Sequence, residues 1–241
     1  MVGAGKSNTA SQTSKAYGMQ VAVHFGDIAR ATALYHQVLE SKPSLQILAS
    51  VAYLEEVFFS ALICIANAKA GRKKYRAEAK KHLASIHQLI ETGSMNLVHK
   101  CQILEAEYNS LDSAIDERDL LRNYELALVA STKSGFVADA GLCAYLAAQF
   151  CANRSDLEDS VESYMKKAHD SYLTWGAVAV ANSLKSRHPE YFESTMDMPE
   201  LITSTSTGIR SRTRYRPNAL AFHRSLTTAR LQFDGSSLEI T

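Results

Sequence analysis

Proline is scarce in this chain, with 4 in 241 residues, and glycine is little commoner at 11. So few breakers leave long uninterrupted stretches that read as helices, with no convincing strand. An excess of one charge is missing too: 26 Lys and Arg stand against 25 Asp and Glu, so nothing global draws the chain to nucleic acid or a membrane surface. The four cysteines, Cys64, Cys101, Cys143 and Cys151, form no C-x-x-C pair and have no companion histidines at ligand spacing along the chain. That pattern reads as buried thiols in a reducing, cytoplasmic compartment rather than a disulfide framework. The longest strongly apolar run, VFFSALICIANAKA after Glu55 and Glu56, is about a dozen residues and short of a bilayer span. The N-terminus has no apolar stretch of the kind a secretory signal carries.

What the chain does have is apolar spacing. From about residue 22 to 187, apolar residues recur at three- and four-residue steps, the period of helices buried on one face. The pattern predicts helices over about 22–40, 45–71, 72–91, 96–112, 118–134, 137–152, 156–174 and 177–187. Pro43 breaks the first from the second, and Gly71, Gly93, Gly135 and Gly176 stand where helix C-termini favour glycine. Ser155 to Glu158 reads S-D-L-E, the form of a capping box. A repeat is also visible: NYELALVASTKSGF and SYMKKAHDSYLTWGA align Tyr124 with Tyr164, Ala127 near Ala168, and Gly135-Phe136 with Gly176-Ala177. The offset of about 40 residues lies in the range of helical-hairpin repeats. The expected fold is all-α, an α-solenoid of tetratricopeptide-like hairpins with disordered ends.

The segments NLVHKCQILEAEYNSL, NYELALVASTKSGF, ADAGLCAYLAAQF and SYLTWGAVAVANSLKSRHPEYF resemble the tetratricopeptide-like helical region of large multidomain signalling proteins. In that family the region follows a STAND/AAA-type ATPase module, often behind a serine/threonine kinase domain, and precedes GAF and histidine-kinase modules. The resemblance covers about residues 45–192 and is most specific at Leu104 to Glu107, at Gly135-Phe136, at Trp175-Gly176-Ala177, and at His188-Pro189. Val178 to Ala181 replaces the family's usual basic step, and none of its ATPase or kinase motifs is present. The resemblance therefore implies a regulatory helical segment and no catalysis of its own.

Catalytic motifs fail on spacing. Gly5-Lys6-Ser7 matches the second half of a phosphate loop, but the first glycine would fall upstream of Met1 and a Ser/Thr-rich polar run follows. Glu105 and Glu107 are two apart, so a helix points them in nearly opposite directions. His82 and His87 are five apart and miss the helical metal register, so no metal or cofactor is expected. Trp175, the only tryptophan, reads as a packing anchor that can also serve a partner surface. Asn96, His99, Glu107, Asp139 and Tyr145, on the first helices of their hairpins, are the candidates for an inner partner surface. Arg72, Lys73, Lys74 and Arg76 form a candidate basic patch near a helix start.

The expected organisation is a disordered polar tail over 1–20, a helical repeat domain over 21–192, and a Ser/Thr/Arg-rich linker or tail over 193–241, with a short amphipathic helix conceivable at 219–231. The function expected is a non-catalytic module that binds other signalling domains or subunits, with no membrane span. Two rivals stay open. One is a truncated piece of a signalling ATPase or kinase whose catalytic modules lie outside this chain. The other, less favoured, is nucleic-acid association through the arginine-rich tail.

Overall fold

The structure is a computed structural model that describes residues 3–40 and 51–192, and these fall in one compact unit. The Pro43 break, the start of the second expected helix, and the whole 193–241 tail with the helix expected at 219–231 lie outside the described residues. Among the described residues every regular element is a helix. The order is α1 (Gly3–His24), α2 (Ile28–Leu39), α3 (Val51–Lys69), α4 (Lys74–Glu91), α5 (Val98–Asn109), α6 (Glu117–Lys133), α7 (Val137–Cys151), α8 (Val161–Trp175) and α9 (Val178–Arg187). Short 3-10 turns at Met95–Leu97, Ser155–Ser160 and Pro189–Tyr191 join or end them.

Each helix packs against its successor, and α1, α3, α5 and α7 also touch one another in sequence as a row. The buried side chains form two adjoining clusters, one spanning mainly α1 to α5 and the other α5 to α9. The aligned positions do the same work in α6 and α8. Tyr124 and Tyr164 are buried and donate their hydroxyls to Glu107 at 2.6 Å and Glu125 at 3.0 Å, while Ala127 and Ala168 are fully buried.

Two expected boundaries are corrected. The polar tail over 1–20 is helical from Gly3, because Gln12, Ala16, Met19, Ala22 and Val23 make a narrow buried stripe at helical spacing. Gln12 is polar and Ala16 and Ala22 are small, so the stripe is weak by hydrophobicity alone. Gly5-Lys6-Ser7 falls inside this helix backbone, not in a loop. The helix expected over 22–40 is instead two, split at Gly26. There φ is +72°, a left-handed conformation that L side chains resist, and Asp27 caps α2 by accepting the Arg30 amide at 3.0 Å.

The S-D-L-E segment is the third difference. It forms the 3-10 turn before α8, and the Ser155 hydroxyl faces Asp156 at 3.4 Å instead of an amide of a new helix. At the other end of α8 the expectation holds. Gly176 adopts φ +84°, which lets the Ala177 amide reach back to the Tyr172 carbonyl at 2.9 Å and close the helix.

The apolar run of about a dozen residues extends into α3, whose 19 residues are long and apolar enough to cross a membrane by length and composition. In this fold it is a central core helix: Val57 to Ile65 are all buried, and Asn67 is held between the Thr32 hydroxyl and the Ile63 carbonyl, each at 2.8 Å. Close packing recurs at α7 on α8, where a Cβ on Gly141 would stand 3.2 Å from both Ser171 and Tyr172. Gly141→Ala gains about 1 kcal/mol of helix propensity but crowds a buried ring. A net loss of about 1 kcal/mol in urea unfolding is expected; a stabilised variant would show that α8 yields easily.

Candidate functional site

The N-terminal ends of α5 and α7 carry an ionised cluster in the interior. His99 Nε2 lies 2.7 Å from Asp139 Oδ2, and the Lys100 ammonium is 2.9 Å from the same carboxylate and 3.1 Å from Glu55 Oε2 on α3. The His99 ring stacks on Phe136 at 4.0 Å, and Lys100 sits over the Phe58 ring at 4.3 Å. Burial alone would raise the Asp139 carboxyl, yet the hydrogen bond from His99 and the charge of Lys100 outweigh it and hold the group below its usual range. Each charge is thus matched by partners, as a buried ion requires.

His24 sits close to this cluster. Its Nδ1 is 3.2 Å from the Tyr172 hydroxyl, its ring packs against Phe59, Tyr172 and Trp175, and its Nε2 is buried with no hydrogen-bonding partner among the described residues. Burial pushes the imidazole down to about 4; Asp139 pulls it upward and Lys100 adds to the depression. The first helix is thereby tied to the eighth, 148 residues away.

A second polar line crosses the row of inner helices. Lys69 on α3 pairs with buried Glu107 on α5 at 2.7 Å, and Glu107 also accepts from Tyr124. The Tyr145 hydroxyl on α7 accepts from Gln149 at 2.8 Å and from Arg187 at 2.9 Å.

Of the residues expected on a partner surface, His99, Glu107, Asp139 and Tyr145 are therefore buried and engaged inside the fold. Their polar groups, read from sequence as lining an inner surface open to a partner, are instead bonded within the fold, which corrects that reading. Only Asn96 and Trp175 are exposed, Trp175 at 44%. The structure joins His99 to Asp139 and does not join Asn96 to either. Glu105 and Glu107 do face apart: Glu107 points inward, whereas Glu105 is half exposed beside His87.

The basic patch is exposed at the start of α4, where no acidic residue occupies the first turn. Arg72 donates to the Asn67 side chain and Arg76 donates to the Leu111 carbonyl at 3.3 Å, while Lys74 lies over the Tyr75 ring at 4.8 Å. Local bonds thus account for part of the patch.

What sequence reasoning missed is a cleft of about 570 Å³ at the C-terminal ends of α3, α5 and α7. Its polar lining includes Lys69, Ser110, Gln149, Asn153, Arg154 and His188; no carboxylate of the described residues lines it, but Glu107, Glu117 and Glu190 stand 2.7, 2.9 and 3.6 Å from Lys69, Arg154 and His188. Leu111, whose carbonyl holds Arg76, forms part of its wall, so the basic patch adjoins the opening. The signal was the cluster of Gln149, Asn153 and Arg154 at the end of an otherwise apolar helix.

The expectation of no metal rested on histidine spacing along one helix. Two helices instead bring His87, Cys101 and Glu105 together, with ligand atoms within 4.8 Å of one another. All four cysteines are free and buried, and burial, reinforced by Glu105, pushes the Cys101 thiol up to about 12. Comparison with family models, with curated proteins and with solved structures finds no match to this chain.

Proposed function

We propose that the chain is a non-catalytic helical-repeat module, an α-solenoid of tetratricopeptide-like hairpins, that binds an extended acidic segment of a protein partner. The cleft across α3, α5 and α7 carries this reading. Its lining offers Lys69, Arg154 and His188, whose paired carboxylates on Glu107, Glu117 and Glu190 stand outside the lining, Arg76 stands at its rim, and amide side chains from Gln149 and Asn153 can pair with peptide groups. Successive hairpins that each contribute a helix end to one trough are the way helical repeats build a binding surface. The free, buried cysteines support a reducing, cytoplasmic setting. Kinship with the regulatory region of multidomain ATPase and kinase signalling proteins is part of the proposal and rests on the four sequence segments alone. In that setting the partner would be another signalling domain or subunit.

Fluorescence anisotropy with a pool of labelled acidic peptides tests the reading. Saturable, salt-sensitive binding is expected, weakened about tenfold by Asn153→Trp, which fills the trough from an exposed position. Absence of binding, or binding indifferent to Asn153→Trp, would count against it.

A further inference from the structure

The α4–α5 junction holds a side-chain group that peptide binding does not use. Cys101 and Glu105 are four residues apart on α5, so one helix face presents both. His87 reaches that face from the last turns of α4, across the turn Met95–Leu97. The Cys101 sulfur is 3.7 Å from His87 Nε2, and Nε2 is 3.2 Å from Glu105 Oε1.

Those separations have a chemical meaning. Around a tetrahedral zinc ion with bonds of about 2.0 Å to nitrogen and oxygen and about 2.3 Å to sulfur, neighbouring ligands stand about 3.3 to 3.6 Å apart. The observed sulfur–nitrogen and nitrogen–oxygen distances are already within a few tenths of an ångström of that geometry. Sulfur, imidazole and carboxylate together suit a borderline cation, whereas calcium and magnesium seek all-oxygen shells. The His87 and Glu105 side chains are 47% and 44% exposed, so an ion can enter from solvent and a water can complete the shell. The sulfur lies beneath them in a buried residue, which closes the floor of the site. Cys64, Cys143 and Cys151 are also buried and belong to no such group among the described residues.

We propose that His87, Cys101 and Glu105 form a three-ligand site for a zinc-class divalent cation, which staples α4 to α5. The ion replaces the thiol proton of Cys101, which leaves to solvent, and is bound by the thiolate, His87 Nε2 and one Glu105 oxygen. Because α4 ends one hairpin and α5 begins the next, the bound ion fixes how the two halves of the unit meet. An exposed, three-ligand site is exchangeable, so the staple responds to available metal.

Titration of the metal-free full chain with cobalt(II) tests the site, since cobalt reports thiolate ligation through a near-ultraviolet charge-transfer band. One equivalent is expected to develop the band, and zinc to displace the cobalt while magnesium does not. Cys101→Ser should remove the band. His87→Ala, a half-exposed change that circular dichroism should show folded, should weaken binding at least about 100-fold. Zinc should raise the thermal midpoint of the parent and leave that of His87→Ala unmoved. A parent chain that develops no band overturns the proposal. So does a band that persists in Cys101→Ser, or affinity unchanged in His87→Ala.

Discussion

Lys100→Met is expected to lower the stability of the chain by about 3–5 kcal/mol, the usual consequence of removing one partner from a buried ion pair. The methionine can follow the aliphatic path of the lysine past Phe58, so lost packing is a small part of the effect. The larger part comes from what remains. Asp139 keeps its hydrogen bond to His99 but loses the ammonium 2.9 Å away, and its carboxylate is already desolvated. Glu55 is less affected, because about a quarter of its side chain reaches solvent. The double variant Lys100→Met, Asp139→Asn should therefore cost less than the sum of the two single changes, a coupling of about 1–3 kcal/mol in urea unfolding. A single Lys100→Met variant within about 1 kcal/mol of the parent would mean that water reaches Asp139 and the cluster is not sealed.

Acidification should expose the second large effect. His24 titrates at about 4 in the folded chain against 6.5 when unperturbed, because burial excludes the imidazolium form. Between those values the unfolded chain binds the extra proton and the native one does not. Stability from this residue is thus complete above about pH 6.5, falls as pH drops, and is exhausted near pH 4. A shift of this size corresponds to roughly 3 kcal/mol, and the residue is only 2% exposed, so screening by solvent is slight. His24→Gln keeps a group able to bond Tyr172 and removes the titration. Unfolding free energies at pH 7 and pH 4.5 should differ more in the parent than in the variant, by about 2–3 kcal/mol. Asp139, held low by His99 and Lys100, and Glu56, raised by burial against the opposing bond from Gln12, titrate in both chains and cancel in that comparison. Equal pH dependence in the two chains would show that His24 takes up its proton in place.

The helical class was legible because the pattern is redundant: many turns of α3, α4, α6 and α8 repeat one apolar spacing, and Gly71, Gly93, Gly135 and Gly176 mark their ends. Gly26 escaped notice because Val21 to Val38 keep the spacing on both sides of it, and only the left-handed turn and the Asp27 cap separate two helices. The N-terminal helix escaped for a different reason. Its buried positions are Gln12, Ala16 and Met19, which a sliding average of hydrophobicity cannot tell from a polar tail. The site was harder still. His99, Glu107 and Asp139 are residue types that ordinarily stay on surfaces, and their burial depends on partners such as Lys100, Lys69 and Tyr124 contributed by other parts of the chain. No periodicity on one helix encodes such pairing. For the same reason His87 could be compared only with His82 along its own helix, although Cys101 and Glu105 are the groups that meet it.

The bond between His24 and Tyr172 also sets an order of events in time. On a ribosome the first helix emerges long before the eighth, and until residue 172 is made the face of α1 that carries His24 has only part of its final cover. Contacts of such long sequence separation form late and slow the overall rate. The early hairpins can condense on one another as they appear, through neighbours already synthesised. The end of α1 must wait, so its cover is completed only when α8 arrives at His24.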